Sequence, residues 1–300
     1  MLDHQPAVIA AGVKNVSCRA CGTIMNRCLK TKVRIQRRYR QLVSPETRFI
    51  AKMYLLLLAL FTLQRAAIML YNGAHLHAID FTMLFHAFLV GSRFDLATST
   101  YLLAPLFLAL LGSQHFHHFL KWLLPLFIFI LLVAESAELA FYQAFESRFN
   151  SRVFEALRHP VTMGDMIWHD DPRLVQLLCT IAMVTLLLPL LKAIHRPLLT
   201  SLHVNLTVRD RLGRTMGNTL VVVLMVFALR GGFQHEPLRC RDALFSDQPF
   251  ANQLALNGLF SLGRTSWDAF NDKPQTWPSS TPDKTRDDTR QSVHLRQITH

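Results

Sequence analysis

Residues 119–142 read FLKWLLPLFIFILLVAESAELAFY, a run broken only by Lys121 near its start and by Glu135, Ser136 and Glu138 near its end. A bilayer core is crossed by roughly 20 consecutive apolar residues in a helix, so this stretch predicts a transmembrane span. Four further runs flank it. Residues 53–71 form a first span, interrupted by Gln64 and Arg65, and residues 96–111 a second that carries Pro105, a residue membrane helices tolerate. Residues 174–194 follow as a fourth, opened by Asp171-Pro172 and trailed by Lys192, His195 and Arg196. The fifth, 216–229, is short enough to be a buried or re-entrant segment. Between the first two, Phe81, Leu84, Phe85, Phe88 and Leu89 make a helical stripe too short to cross, which predicts an interfacial amphipathic helix. The expected fold class is an all-α membrane protein with about five transmembrane helices, this interfacial helix and a short external tail.

Composition agrees. Hydrophobic residues make up 51% of the 300 and charged residues 17%, against roughly 25% charged in soluble proteins. The net charge of +12 could indicate nucleic-acid binding if the basic residues shared a folded surface. They do not share one: eleven Lys and Arg against Asp3 and Glu46 stand in residues 1–52, just before the first apolar run. That placement predicts a cytoplasmic anchor and no nucleic-acid partner. Lys121, Lys192, Arg196, Arg209, Arg211 and Arg214 fall on the same side of a five-span chain. The expected localisation is therefore a bacterial inner (plasma) membrane, multi-pass, with the N-terminus cytoplasmic and the C-terminus periplasmic.

Four regions follow: a basic cytoplasmic segment 1–52, a transmembrane domain 53–230, a periplasmic juxtamembrane segment 231–270, and a tail 271–300 whose Pro, Thr, Asp and Arg content predicts disorder. Cys18 and Cys21 have the spacing of half a zinc site, but four ligands would require Cys28 and a distant partner such as His4, so reduced thiols are expected. His115, His117 and His118 group between the second and third spans with no Cys, Asp or Glu close in sequence, and are read as a solvated loop cluster.

Ionisable residues inside spans are costly and mark functional candidates. Six stand toward one membrane face: Arg65, Arg93, Asp95, Glu135, Glu138 and Arg230. Glu135 and Glu138, three apart, share a helix face. Three acids and three bases balance, which favours a structural ion-pair network; a polar pocket for a lipid headgroup and a proton relay are the alternatives. No Ser, Thr or Cys stands on a tight turn beside a base outside the membrane, so no catalytic residue and no metal ligand is assigned.

Arg93-Phe-Asp95, Glu138-Leu-Ala-Phe-Tyr142, Arg230-Gly-Gly232, Pro237-Leu238, Asp242-Ala-Leu-Phe-Ser246 and Asn252-Gln-Leu-Ala-Leu-Asn-Gly-Leu-Phe260 together resemble the membrane region of the lipoteichoic acid synthase family. The resemblance covers roughly residues 53–270 and is most specific from Arg230 to Phe260. It implies five spans that carry an external sulfatase-like phosphoglycerol transferase domain, with a threonine nucleophile and a divalent metal such as manganese. Here the chain stops before that domain, so no residue inherits a catalytic or metal role and no cofactor is expected. The implied function is the membrane-anchoring domain of a truncated phosphoglycerol transferase, inactive alone, with membrane lipids such as phosphatidylglycerol and a separately encoded catalytic domain as partners. A small transporter or anionic-lipid-binding membrane protein is the rival.

Overall fold

The computed structural model describes residues 43–73, 79–112, 114–158, 172–200, 207–232 and 237–271. Eight helices and one 3₁₀ turn account for most of them, and no strand occurs among the described residues. The helices are α1 (Pro45–Tyr71), α2 (Phe81–Gly112), α3 (Gln114–Phe145), α4 (Arg152–Arg158), α5 (Pro172–Thr200), α6 (Val208–Arg230), α7 (Pro249–Ala255) and α8 (Gly258–Phe270), with the 3₁₀ turn at Cys240–Ala243. Five are long and apolar enough to cross a membrane: α1, α2, α3, α5 and α6. The protein is an all-α, multi-pass membrane protein.

Helix α1 starts where Ser44 accepts a hydrogen bond from the Thr47 amide, 3.0 Å, with Pro45 in the first turn. The cap satisfies an amide that the helix cannot, and proline needs no partner there. The helix therefore begins at residue 45, inside the region read from sequence as the basic segment 1–52. The Cys18, Cys21 and Cys28 cluster lies outside the described residues, as does nearly all of the tail at 271–300.

Two sequence-based boundaries are corrected. The stripe from Phe81 to Leu89 is no separate interfacial helix: it forms the first turns of α2, which runs unbroken for 32 residues. Gly91 lowers helix propensity without breaking the hydrogen-bond ladder, and its missing side chain leaves room for a neighbour described below. The fifth span is not fourteen residues but the 23 of α6, about 35 Å at the helical rise. Its first turns are too polar to register as apolar, yet a reciprocal Thr207–Asp210 capping box starts them and Gly231, at φ +77°, ends them.

Helix α1 packs on α2 and α5, α3 packs on α5, and α2 also meets α6, α7 and α8. At the end where α1 begins, the proximal end, the core is apolar: Phe49, Met53, Leu57, Phe107, Leu124 and Leu191 are buried together. Leu187, Leu191, Ile194 and Leu198 repeat at helical spacing along the inward stripe of α5. The opposite surfaces expose Leu55, Leu70, Trp122, Leu186 and Val226, as a lipid-facing surface does. Helix α6 is the most peripheral, with Met225 its one buried residue. Its middle is tied to the start of α1 by Asn218, whose side-chain oxygen accepts from Ser44 Oγ at 2.6 Å and Thr47 Oγ1 at 2.9 Å.

His117 also departs from the expectation of a solvated loop. Because α3 is already helical at Gln114, His117 falls three residues before the buried Leu120, on the inward face. It is buried, with Nε2 3.2 Å from the Leu110 carbonyl and 3.9 Å from Glu46, and its own carbonyl lies 2.9 Å from Nε2 of His195. His118 is exposed.

An odd number of spans separates the ends of the bundle. In a cysteine-free background, Arg209→Cys and Ala269→Cys, both exposed positions, should react with an impermeant maleimide from opposite sides of sealed vesicles. Labelling from one side only would remove a span, α6 first.

Candidate functional site

At the distal end of the bundle the inward faces turn polar. The inward stripe of α3 passes through Leu120, Leu124, Ile128 and Leu131 and continues into Glu135, Glu138 and Tyr142, all buried. Steps of three and four residues place every one of them on the same helix face. The carboxylates therefore point into the bundle and not into lipid.

Arg65 of α1 is 2% exposed and Asp95 of α2 1%. They meet as a bidentate pair, Nη1 to Oδ2 and Nη2 to Oδ1 both at 2.9 Å, the geometry in which guanidinium and carboxylate bond most strongly. The remaining Nε donates to the Leu254 carbonyl at the end of α7, 2.8 Å. Phe88 lies over the guanidinium, 5.8 Å from its ring centre. Gly91 is the floor: a Cβ there would collide with the guanidinium carbon and both terminal nitrogens of Arg65. Asp95 accepts a further bond from Asn257 Nδ2, 2.9 Å, while Asn257 Oδ1 caps α8 through the Phe260 amide.

A second pair forms after the end of α3. Glu146 takes the left-handed conformation, φ +49°, an uncommon backbone state for a residue with a side chain. The chain then turns sharply enough for Arg148 to reach back to Glu138 on the helix it has just left. Arg148 Nε donates to the Gln253 carbonyl and its amide to the Gln253 side chain, both at 3.0 Å. Gly258 presses on Glu138, since a Cβ there would overlap its carboxyl group. Asn252 completes the segment by accepting from the Phe245 and Ser246 amides at 3.2 and 3.1 Å and donating to the Ser246 carbonyl at 2.7 Å.

Of the six residues singled out by sequence, the fold brings Arg65, Asp95, Glu135 and Glu138 into one buried layer. Arg93 lies nearby but donates to the Gly231 carbonyl, at 3.3 and 3.1 Å, and so closes the C-terminus of α6, with no carboxylate bound to it among the described residues. Arg230 stands exposed in the last turn of that helix. The second cation of the layer is Arg148, which follows the end of α3 and is not among the six. Its signal was weak, because only a left-handed turn at Glu146 returns it to α3. The layer holds three carboxyl groups and two guanidinium groups, where the sequence count had three of each.

Glu135 is the odd member. It is 6% exposed, and its Oε1 has no hydrogen-bond partner among the described residues. It lines a cavity of about 230 Å³ between α1, α3 and α5.

Cys240, outside the spans, is buried, and burial pushes its thiol up to about 12, which keeps it protonated and poorly nucleophilic at neutral pH. Among the described residues no group of three or more His, Cys, Asp or Glu is placed to hold a metal ion.

No protein-family model, curated protein or solved structure matches this chain. Arg65 and Arg148 each bond a backbone carbonyl, of Leu254 and Gln253 respectively, as well as a carboxylate.

Removing one partner strands the other charge in a low-dielectric layer. Arg65→Gln should cost about 3–5 kcal/mol, with Asp95→Asn in the same chain restoring part of it, whereas Arg93→Gln should cost about 1 kcal/mol. Gly258→Ala should cost about 1–3 kcal/mol by overpacking, and Gly217→Ala, which meets nothing within 4 Å, should be neutral or stabilising. Thermal unfolding in detergent checks the set, and equal losses for Arg65→Gln and Arg93→Gln would show that the buried pair carries no special weight.

Proposed function

We propose that this chain is the membrane-anchoring domain of a sulfatase-like phosphoglycerol transferase of the lipoteichoic acid synthase type, catalytically incomplete alone. Its buried charges hold the segment that leads to the catalytic domain. One observation carries this reading: the two ion pairs of the charged layer are committed to residues 252–258. Arg65 holds the Leu254 carbonyl, Arg148 holds both ends of Gln253, and Asp95 holds Asn257. Helices α7 and α8 are thereby seated against α2 and α3, and a domain joined beyond them inherits a fixed orientation relative to the membrane.

In this reading the N-terminus is cytoplasmic, α7 and α8 are periplasmic, and the membrane is a bacterial plasma membrane. The divalent metal, the threonine nucleophile and phosphatidylglycerol as donor belong to the catalytic partner. Basic residues 1–52 supply the orientation signal.

Two measurements test it. Purified protein with manganese or magnesium should neither hydrolyse aryl sulfates nor transfer glycerol phosphate from phosphatidylglycerol. Fused after residue 270 to the catalytic domain of a lipoteichoic acid synthase, it should support transfer in phosphatidylglycerol vesicles, and Arg148→Gln should lower that transfer severalfold while soluble-substrate turnover stays unchanged. Turnover by the unfused chain that a single substitution abolishes would overturn the reading, as would a fusion active on soluble substrate and indifferent to Arg148→Gln.

A further inference from the structure

The cavity beside Glu135 is left over from this clamp. It opens between α1, α3 and α5, on a side where Leu63 and Cys179 are exposed, so it faces the acyl chains and not the aqueous phase. Most polar groups on its wall already satisfy one another. Gln64 donates to the Glu135 carbonyl at 2.6 Å, Gln176 donates to the Ser136 carbonyl, and Thr180 is hydrogen-bonded to Ser136 Oγ at 3.1 Å. Oε1 of Glu135 is the exception, without a partner among the described residues.

The charges around Glu135 are Glu138, Arg148, Asp95 and Arg65. Arg65 is bidentate to Asp95 and Arg148 is paired to Glu138, so among the described residues the layer is one positive charge short. A buried carboxylate is tolerated when it is paired and hydrogen-bonded. Gln64 and Gln176 line the same cavity and use their amide nitrogens on backbone carbonyls, so each keeps an amide oxygen as an acceptor. One carboxylate and two amide oxygens match the three N–H donors of a primary ammonium. An anionic head would meet Glu135 with like charge. About 230 Å³ is below the roughly 300–1,000 Å³ of a drug-sized pocket, room for a small head whose apolar body stays in the bilayer.

We propose that the cavity between α1, α3 and α5 binds the primary ammonium head of an amphiphile from within the membrane, with Glu135 as its counter-ion. The proposal does not depend on the anchor reading, since none of residues 252–258 lines the cavity. Phospholipids with an ethanolamine head and free hydrophobic amines share this chemistry.

Delipidated full-length protein in detergent is titrated with phosphatidylethanolamine, phosphatidylglycerol, dodecylamine and dodecanol, and bound ligand is counted by native mass spectrometry. Retention of phosphatidylethanolamine over phosphatidylglycerol, or of dodecylamine over dodecanol, by about tenfold is expected, one charge-assisted contact being worth that much. Preference in the first pair alone names a phospholipid head, in the second alone a free amine. Glu135→Gln should abolish the preference without lowering the melting temperature, because it removes an unpaired charge. Cys179→Trp, which narrows the mouth without touching an ion pair, should weaken binding of either amine and carries the test if Glu135→Gln fails to express. No preference in either pair, or a preference that survives Glu135→Gln or Cys179→Trp, overturns the proposal.

Discussion

A guanidinium group buried inside a membrane helix bundle has to be surrounded by acceptors, and Arg65 meets that requirement by reaching two other parts of the chain. Its two terminal nitrogens take Asp95 on the neighbouring helix, and Nε takes the Leu254 carbonyl. The first contact fixes α1 against α2. The second seats α7 on the distal end of the bundle. Gly91 follows from the same demand, because a side chain there would occupy the volume of the guanidinium. Desolvating a charge costs several kcal/mol, so a layer built on such pairs favours one arrangement steeply over alternatives that leave a partner alone.

The two ends of the bundle are consequently held by different forces. Proximally, Phe49, Met53, Phe107, Leu124 and Leu191 form an apolar core, beside which His117 and His195 each meet a backbone carbonyl. Contacts of that kind are adaptable, since apolar residues of similar size can exchange at modest cost. Distally, charge pairs and backbone carbonyls set positions to within hydrogen-bonding distance. The end whose geometry is set by these pairs is the one that carries α7 and α8, which is what the anchor role proposed above calls for. Glu135 stands beside this layer with no protein partner for Oε1 among the described residues, and it borders a cavity open to lipid. Clamp and cavity thus share one helix face but use different carboxylates.

Much of this was readable from the order of residues. Hydrophobic runs interrupted by few charges identify helices that span a bilayer, because exposed backbone polar groups are not tolerated there. The same reasoning singled out Arg65, Asp95, Glu135 and Glu138, since charges in such runs are retained for a reason. Residues 252–258 stood out as a motif, but no periodicity assigned them a task. Boundaries were less legible. Arg209, Arg211 and Arg214 obscured the start of α6, although Thr207 and Asp210 in fact mark it. Gly91 to Asp95 read as a break where the helix continues.

The sequence by itself determined that the chain is a multi-pass helical membrane protein and which carboxylates face inward, because hydrophobic length and helical period are local properties. Pairing was decided only by the tertiary structure. Arg93, in the same helical turn as Asp95, binds the Gly231 carbonyl, whereas Arg148, in a loop, reaches Glu138 through a left-handed turn at Glu146. Charge pairing depends on distances between side chains far apart in sequence or turned back by the chain, and burial makes the energetic difference between a right and a wrong partner large. Local pattern contains neither distance nor burial, so the third buried carboxylate and its missing counter-charge emerge only once the helices are packed.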